Sequence, residues 1–124
     1  MNLVDSSGWL EYFADGPNAN FFAAPLEKIE EVIVPTLCIY EVFKRILQQR
    51  GENQSLQAVT LMQQARVVEL NATIAINAAK LSDQLKLPMA DSVILATAKM
   101  ADAVLWTQDA DFKDMKNVKY INKG

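Results

Sequence analysis

Apolar positions along this chain fall into two rhythms. Short apolar runs recur at Asn2-Leu3-Val4, Val32-Ile33-Val34, Val67-Val68-Glu69-Leu70, Ala103-Val104-Leu105-Trp106-Thr107 and Val118-Lys119-Tyr120-Ile121. They read as five strands, rich in β-branched and aromatic residues. Longer stretches between them carry helical spacing. Trp9, Leu10 and Phe13 predict a short helix that stops at Asp15-Gly16-Pro17, a clear breaker. Residues 18–31 have helical character. Residues 36–50 run about four turns and stop at Arg50-Gly51, with a basic residue and a glycine where helix ends favour them. Residues 54–65 predict another helix, and 72–86 and 89–102 a pair separated by Leu87-Pro88. In the 36–50 helix the pattern places Ile39, Tyr40, Phe43, Ile46 and Leu47 on the apolar face. Glu41 falls opposite, with Lys44, Arg45 and Gln48.

Strands alternating with helices predict an α/β fold: a parallel sheet of about five strands, covered on both faces. The first and fourth strands are the most continuously apolar, as central parallel strands are. Sites in such folds lie beyond the carboxyl ends of the strands, where the strand order reverses. Asp5 closes the first strand and Asp109 follows the fourth.

Composition narrows the chemistry. At 124 residues one domain, 1–124, is expected, long enough to bury a core without staples. The apolar runs are too short for a membrane span, and the N-terminal stretch, with Asp5 and no basic residues, does not read as a signal peptide. The single cysteine, Cys38, fits a reducing, cytoplasmic setting and reads as a small core residue. Histidine is absent, which removes the usual general base, the Ser-His-Asp triad and most zinc sites. The net charge of −3 is not that of an obvious nucleic-acid binder, although Lys113, Lys116, Lys119 and Lys123 crowd the C-terminal end.

The acids remain. Each has a plain explanation by itself. Asp5 can cap the first helix together with Ser6 or Ser7. Asp91 lies in the first turn of a helix, where a negative charge favours the macrodipole. Glu41 and Arg45 are spaced as a surface pair. Asp109 and Asp111 can be solvated turn residues. They do not begin a calcium loop, because Lys113 stands where a third oxygen ligand belongs and Asp114 where glycine is needed. The joint pattern is harder to dismiss. Asp5 and Asp109 leave the ends of two central strands, Glu41 lies in the helix after the second strand, and Asp91 starts the apolar helix before the fourth. Four acids at one sheet edge repel one another, and a divalent cation removes that cost. Oxygen ligands alone suit Mg²⁺ or Mn²⁺. Such ions polarise phosphoryl oxygens and activate water, so hydrolysis of nucleic acid is the first enzymatic reading.

The stretches LVDSSGWLEYF, VPTLCIYEVFKRI and LPMADSVILATAKMADAVLWTQDADF, with the closing strand, resemble the PIN domain family, and within it the small VapC-type toxins of toxin–antitoxin pairs. The resemblance runs from end to end and is most specific from Asp91 to Phe112. It implies a three-layer α/β/α sandwich and a Mg²⁺- or Mn²⁺-dependent ribonuclease. Asp5, Glu41, Asp91 and Asp109 match the acidic quartet of the family, Asp111 an additional acid, Thr107 a small hydroxyl residue near the site, and Ser6 the residue after the first acid. By the resemblance, Asp5, Asp91 and Asp109 hold metal, and Glu41 ligates a second ion or orients the attacking water. From their place near Glu41, Lys44 and Arg45 read either as RNA contacts on the rim of the acid pocket, Arg45 foremost, or as a solvated face. The resemblance further implies a homodimer, an RNA substrate with tRNA as the family-level expectation, and a small antitoxin whose C-terminal segment lies in an apolar groove. Aromatics of YFADGPNANFF either face that partner or pack between the first two helices and the sheet.

Two other readings compete. A non-catalytic PIN-like module would keep the acids and bind RNA or protein without cleaving. A phospho-receiver domain has similar length and layering, but its acceptor Asp would follow the third strand, where this chain has Glu69-Leu70-Asn71, and no second acid sits beside Asp5.

Overall fold

The computed structural model describes residues 1–124. The order is β1 (Asn2–Val4), α1 (Ser6–Phe13), α2 (Ala19–Leu26), β2 (Val32–Pro35), α3 (Thr36–Arg50), α4 (Glu52–Met62), β3 (Arg66–Val68), α5 (Ala72–Leu85), α6 (Met89–Met100), β4 (Val104–Thr107) and β5 (Val118–Tyr120). Single 3-10 turns at Ile29–Glu31 and Ala110–Phe112 complete it. The five strands are all parallel, in the order β3-β2-β1-β4-β5, with helices on both sides of the sheet as a three-layer α/β/α sandwich. No helix is long and apolar enough to cross a membrane.

The chain moves from β1 outward to β2 and β3, then returns past β1 to place β4 on its other side. The strand order therefore reverses between β1 and β4, and the carboxyl ends of these two strands flank the crevice. Register fixes what meets there. Leu3 lies beside Leu105 and Val4 beside Trp106, and the Asp5 N–H donates to the Trp106 carbonyl at 3.2 Å. Asp5, the first residue past β1, and Thr107, the last of β4, are thereby neighbours.

Leu3, Val4, Ile33, Val34 and Leu105 are buried at the centre of the main core, where Trp9, Phe22 and Phe112 also lie. A smaller cluster, Ile74, Ala78, Val93 and Ala96, joins α5 to α6. Gly8 allows α1 to approach so closely: a Cβ there would stand 2.6 Å from both the Phe22 ring and Val4.

Several sequence expectations shift. The helical stretch 18–31 divides: α2 ends at Leu26, the ladder tightens to an i−3 bond from the Lys28 N–H to the Pro25 carbonyl at 3.1 Å, and a separate 3-10 turn follows at Ile29–Glu31. The 54–65 helix begins at Glu52, directly after Gly51, whose φ of +88° lets α3 stop and α4 start. The third strand covers 66–68 rather than 67–70, since Asn71 caps α5 by accepting the Ile74 N–H at 2.9 Å. The largest correction concerns α3. Its buried face is Cys38, Val42 and Ile46, whereas Tyr40 is 60% and Leu47 43% exposed. This helix carries more apolar residues than one face needs, and packing decides which are covered. The aromatics of YFADGPNANFF take the packing alternative. Phe22 is fully buried, Tyr12, Phe13 and Phe21 pack against the core, and Phe21 lies 5.1 Å from the Trp106 ring.

Candidate active site

Asp5 is the N-cap of α1 and a cavity residue at once. Its Oδ1 accepts from the Gly8 N–H and from the Ser7 hydroxyl, both at 2.9 Å. Its Oδ2 accepts from the Thr107 hydroxyl at 2.5 Å. The capping explanation is therefore true of Asp5 without being the whole of it. Asp5 is only 4% exposed, and burial pushes its carboxyl above the ordinary 3.8 despite those three donors; the nearby Asp109 adds to the rise.

Thr107 also accepts from the Asp109 N–H at 2.8 Å, so one hydroxyl ties the end of β1 to the segment leaving β4. Asp109 in turn caps the 3-10 turn, its Oδ1 accepting from the Asp111 N–H at 2.9 Å. That turn brings Asp111 back toward α6. Carboxylate oxygens of Asp91, Asp109 and Asp111 lie within 4.8 Å of one another. No Lys or Arg forms an ion pair with any of the three; the single ion pair in the chain is Lys86–Asp83, on the surface. The consequence falls on Asp91. Burial at the start of α6, then the charges of Asp109 and Asp111, push it from 3.8 up to about 7.

Glu41 extends from the second turn of α3. The Ser6 hydroxyl donates to its Oε1 at 2.6 Å, and Arg45 does not pair with it. Cys38 lies one helical turn earlier against Ser6, wholly buried, and burial pushes its thiol upward. It is core, as expected, and inert.

A cavity of about 410 Å³ opens at this edge of the sheet. Asp5, Glu41, Asp91 and Asp109 all line it, with Lys44 and Arg45 on its rim. Four acids separated by up to 104 residues in sequence (Asp5 to Asp109) thus meet at the sheet edge. The tightest oxygen cluster, however, is Asp91, Asp109 and Asp111, not Asp5, Asp91 and Asp109. Asp5 is turned toward its three hydrogen-bond donors. The 3-10 turn that returns Asp111 left no hydrophobic signal in the sequence. Gln108, between Thr107 and Asp109, was also missed; it is buried, and its carbonyl accepts from Asn18 Nδ2 at 2.9 Å. The lysines beyond it split. Lys119 lies over the Trp106 ring at 4.6 Å, a structural contact.

The family model described as PIN domain matches residues 3–118. No curated protein matches the chain. Among solved structures, a toxin–antitoxin complex from Klebsiella pneumoniae superposes with a TM-score of 0.80 at 21% identity, covering 96% of this chain and 96% of that one. FitAcB from Neisseria gonorrhoeae gives 0.77 at 20% identity over 98% and 97%. VapC20 from Mycobacterium tuberculosis, described as a sarcin-ricin loop cleaving toxin, gives 0.76 at 14% identity over 94% and 95%. At these identities the likeness is one of fold.

Proposed function

This chain belongs to the PIN domain family, and from that premise we propose that it is a metal-dependent endoribonuclease, the toxin of a toxin–antitoxin pair. The observation that carries the reading is the convergence of Asp5, Glu41, Asp91 and Asp109 on one cavity at the switch point of the sheet. The shared fold of toxin–antitoxin complexes, and of a toxin described as cleaving the sarcin-ricin loop, supports RNA as substrate and an antitoxin as partner. A homodimer and a cytoplasmic setting belong to the same proposal, and the exposed apolar Tyr40, Leu85 and Met89 leave surface for a second copy.

The donor set fits a hard divalent cation. Asp91, Asp109 and Asp111 offer only carboxylate oxygens, close together and without a cationic partner, which suits Mg²⁺ or Mn²⁺. When bound, such an ion polarises a phosphoryl oxygen and lowers the pKa of water. Asp91, Asp109 and Asp111 hold it, and Asp5 adds negative charge at the same cavity. Thr107 keeps Asp5 and the Asp109 backbone in register. Glu41, fixed by Ser6 through Oε1, orients the attacking water with its other oxygen and takes its proton. Lys44 and Arg45 contact the phosphate. Water adds in line at phosphorus, the bond to the 3′ oxygen breaks, and that oxygen takes a proton from solvent, leaving a 5′-phosphate and a 3′-hydroxyl.

Incubation with Mn²⁺ and structured RNAs, comparing the wild type with Asp5→Asn and Asp91→Asn, tests the proposal. Cleavage to 5′-phosphate ends by the wild type, lost in both variants, supports it. Equal degradation by all three proteins, or none by the wild type, overturns it.

A further inference from the structure

A second and larger cavity, of about 630 Å³, opens between α1, α3, α4 and the C-terminal residues. We propose that it is the track on which the RNA strand flanking the cleavage point lies, with Arg45, Arg50 and Lys123 taking its phosphates. This inference rests on the nuclease reading for the identity of the strand, but its observations are independent of the acid cluster.

The two cavities are neighbours with a common wall, because Ser7, Leu10 and Arg45 line both. Charge changes sign from one to the other. Acids dominate the first. The second presents Arg45, Arg50 and Lys123 against one carboxylate, Glu11, and that carboxylate already accepts the Asn18 N–H at 2.7 Å. In a chain with 15 acids and 12 basic residues, three cations to one acid is a local reversal. None of the three cations has a carboxylate partner. They stand ready for phosphates, as a nucleic-acid path requires.

The rest of the lining fits nucleotides. Gln49, Gln54 and Gln57 offer uncharged donors and acceptors for sugar and base edges, and Leu10 and Phe13 give an apolar surface for bases. Gln108, 5% exposed, lines this cavity and stands in sequence beside Asp109, which lines the first. Asn18 fixes it: the Asn18 Nδ2 donates to the Gln108 carbonyl at 2.9 Å and to the Asn122 carbonyl at 3.0 Å. The same asparagine thereby anchors the segment that carries Lys123. Charged and amide groups outnumber apolar anchors, which favours a polyanion over a peptide segment as occupant.

Binding of a short fluorescein-labelled single-stranded RNA of mixed sequence, followed by anisotropy in EDTA over a series of KCl concentrations, tests the track without cleavage. The variant Arg50→Gln/Lys123→Gln is compared with wild type and with Lys28→Gln/Lys80→Gln, which removes the same charge elsewhere. The expected result is a loss of affinity of about tenfold and a salt slope shallower by about 1.4, or roughly 0.7 per phosphate contact, in the first variant only. Wild-type affinity and slope in Arg50→Gln/Lys123→Gln overturn the inference and leave the cavity to a protein segment; equal losses in both double variants also overturn it, as general charge. Cleavage assays in Mn²⁺ separate the two readings. A wild type that binds RNA through this pair but never cuts it defeats the nuclease reading and keeps the track. A wild type that cuts, with KM unchanged in the first variant, keeps the nuclease and defeats the track.

Discussion

Thr107 donates its hydroxyl to Asp5, 102 residues earlier in the sequence, and accepts the Asp109 N–H. Both groups of that hydroxyl are used, and both partners belong to the candidate site. Thr107→Val keeps the shape and removes the hydroxyl, leaving a buried carboxylate oxygen and a backbone N–H unpaired. A loss of about 1–3 kcal/mol in urea unfolding is expected, together with reduced RNA cleavage. Thr107→Ser keeps the donor and is expected to retain most of both. Equal stability of Val and wild type would show that the bond contributes nothing.

Asp91→Asn separates stability from function. It removes an acid crowded by Asp109 and Asp111, so the metal-free protein is expected to gain stability near neutral pH. It also removes a proposed metal oxygen. The rise in melting temperature that Mn²⁺ gives the wild type should vanish, and cleavage should fall by at least about 100-fold, the upper range for residues that only support a metal ligand. A variant with full Mn²⁺ stabilisation would remove Asp91 from the donor set.

The same residue sets a pH dependence. Asp91 is pushed up to about 7 in the folded chain from an ordinary 3.8. Between these values the folded state holds a proton that the unfolded state has released. Stability therefore falls as pH rises: the contribution is complete below about 3.8 and lost above about 7. Asp5 is shifted in the same direction. The urea midpoint of metal-free wild type, measured against that of Asp91→Asn, should drop between about pH 4 and pH 7, and saturating Mg²⁺ should flatten the difference. A midpoint difference that is constant over this range would contradict it.

Gly8→Ala weighs two opposed effects. Alanine favours a helix by about 1 kcal/mol over glycine. Its Cβ would sit 2.6 Å from the Phe22 ring and from Val4, both wholly buried. Overpacking costs about 1–3 kcal/mol, and two flanking core side chains leave little room to yield, so net destabilisation is expected in denaturant unfolding. Unchanged stability would mean that α1 can lift from the sheet at little cost.

Much of the architecture was legible because it rests on local signals. Continuous apolar runs marked β1 and β4 as central strands, and Gly51 and Pro88 marked helix boundaries. The buried face of α3 was not legible. Tyr40 and Leu47 are as apolar as Cys38 and Val42, and only the packing of α1, α4 and α6 around the helix decides between them. At the candidate site the acids themselves stood out, since nothing in their neighbourhood neutralised them. Their division of labour did not. That Asp5 is held by Thr107, and that Asp111 reaches Asp91, depends on strand register and on one 3-10 turn. Arg50, Gln108 and Lys123 come together from three separate stretches, a convergence that no periodicity announces.

Cys38, wholly buried against Ser6, which lines the acid cavity, is the only thiol of the chain. A maleimide can meet its sulfur only in molecules that have opened around α3. Alkylation under native conditions is thus a built-in clock for breathing around α3, read from the natural sequence without an engineered label.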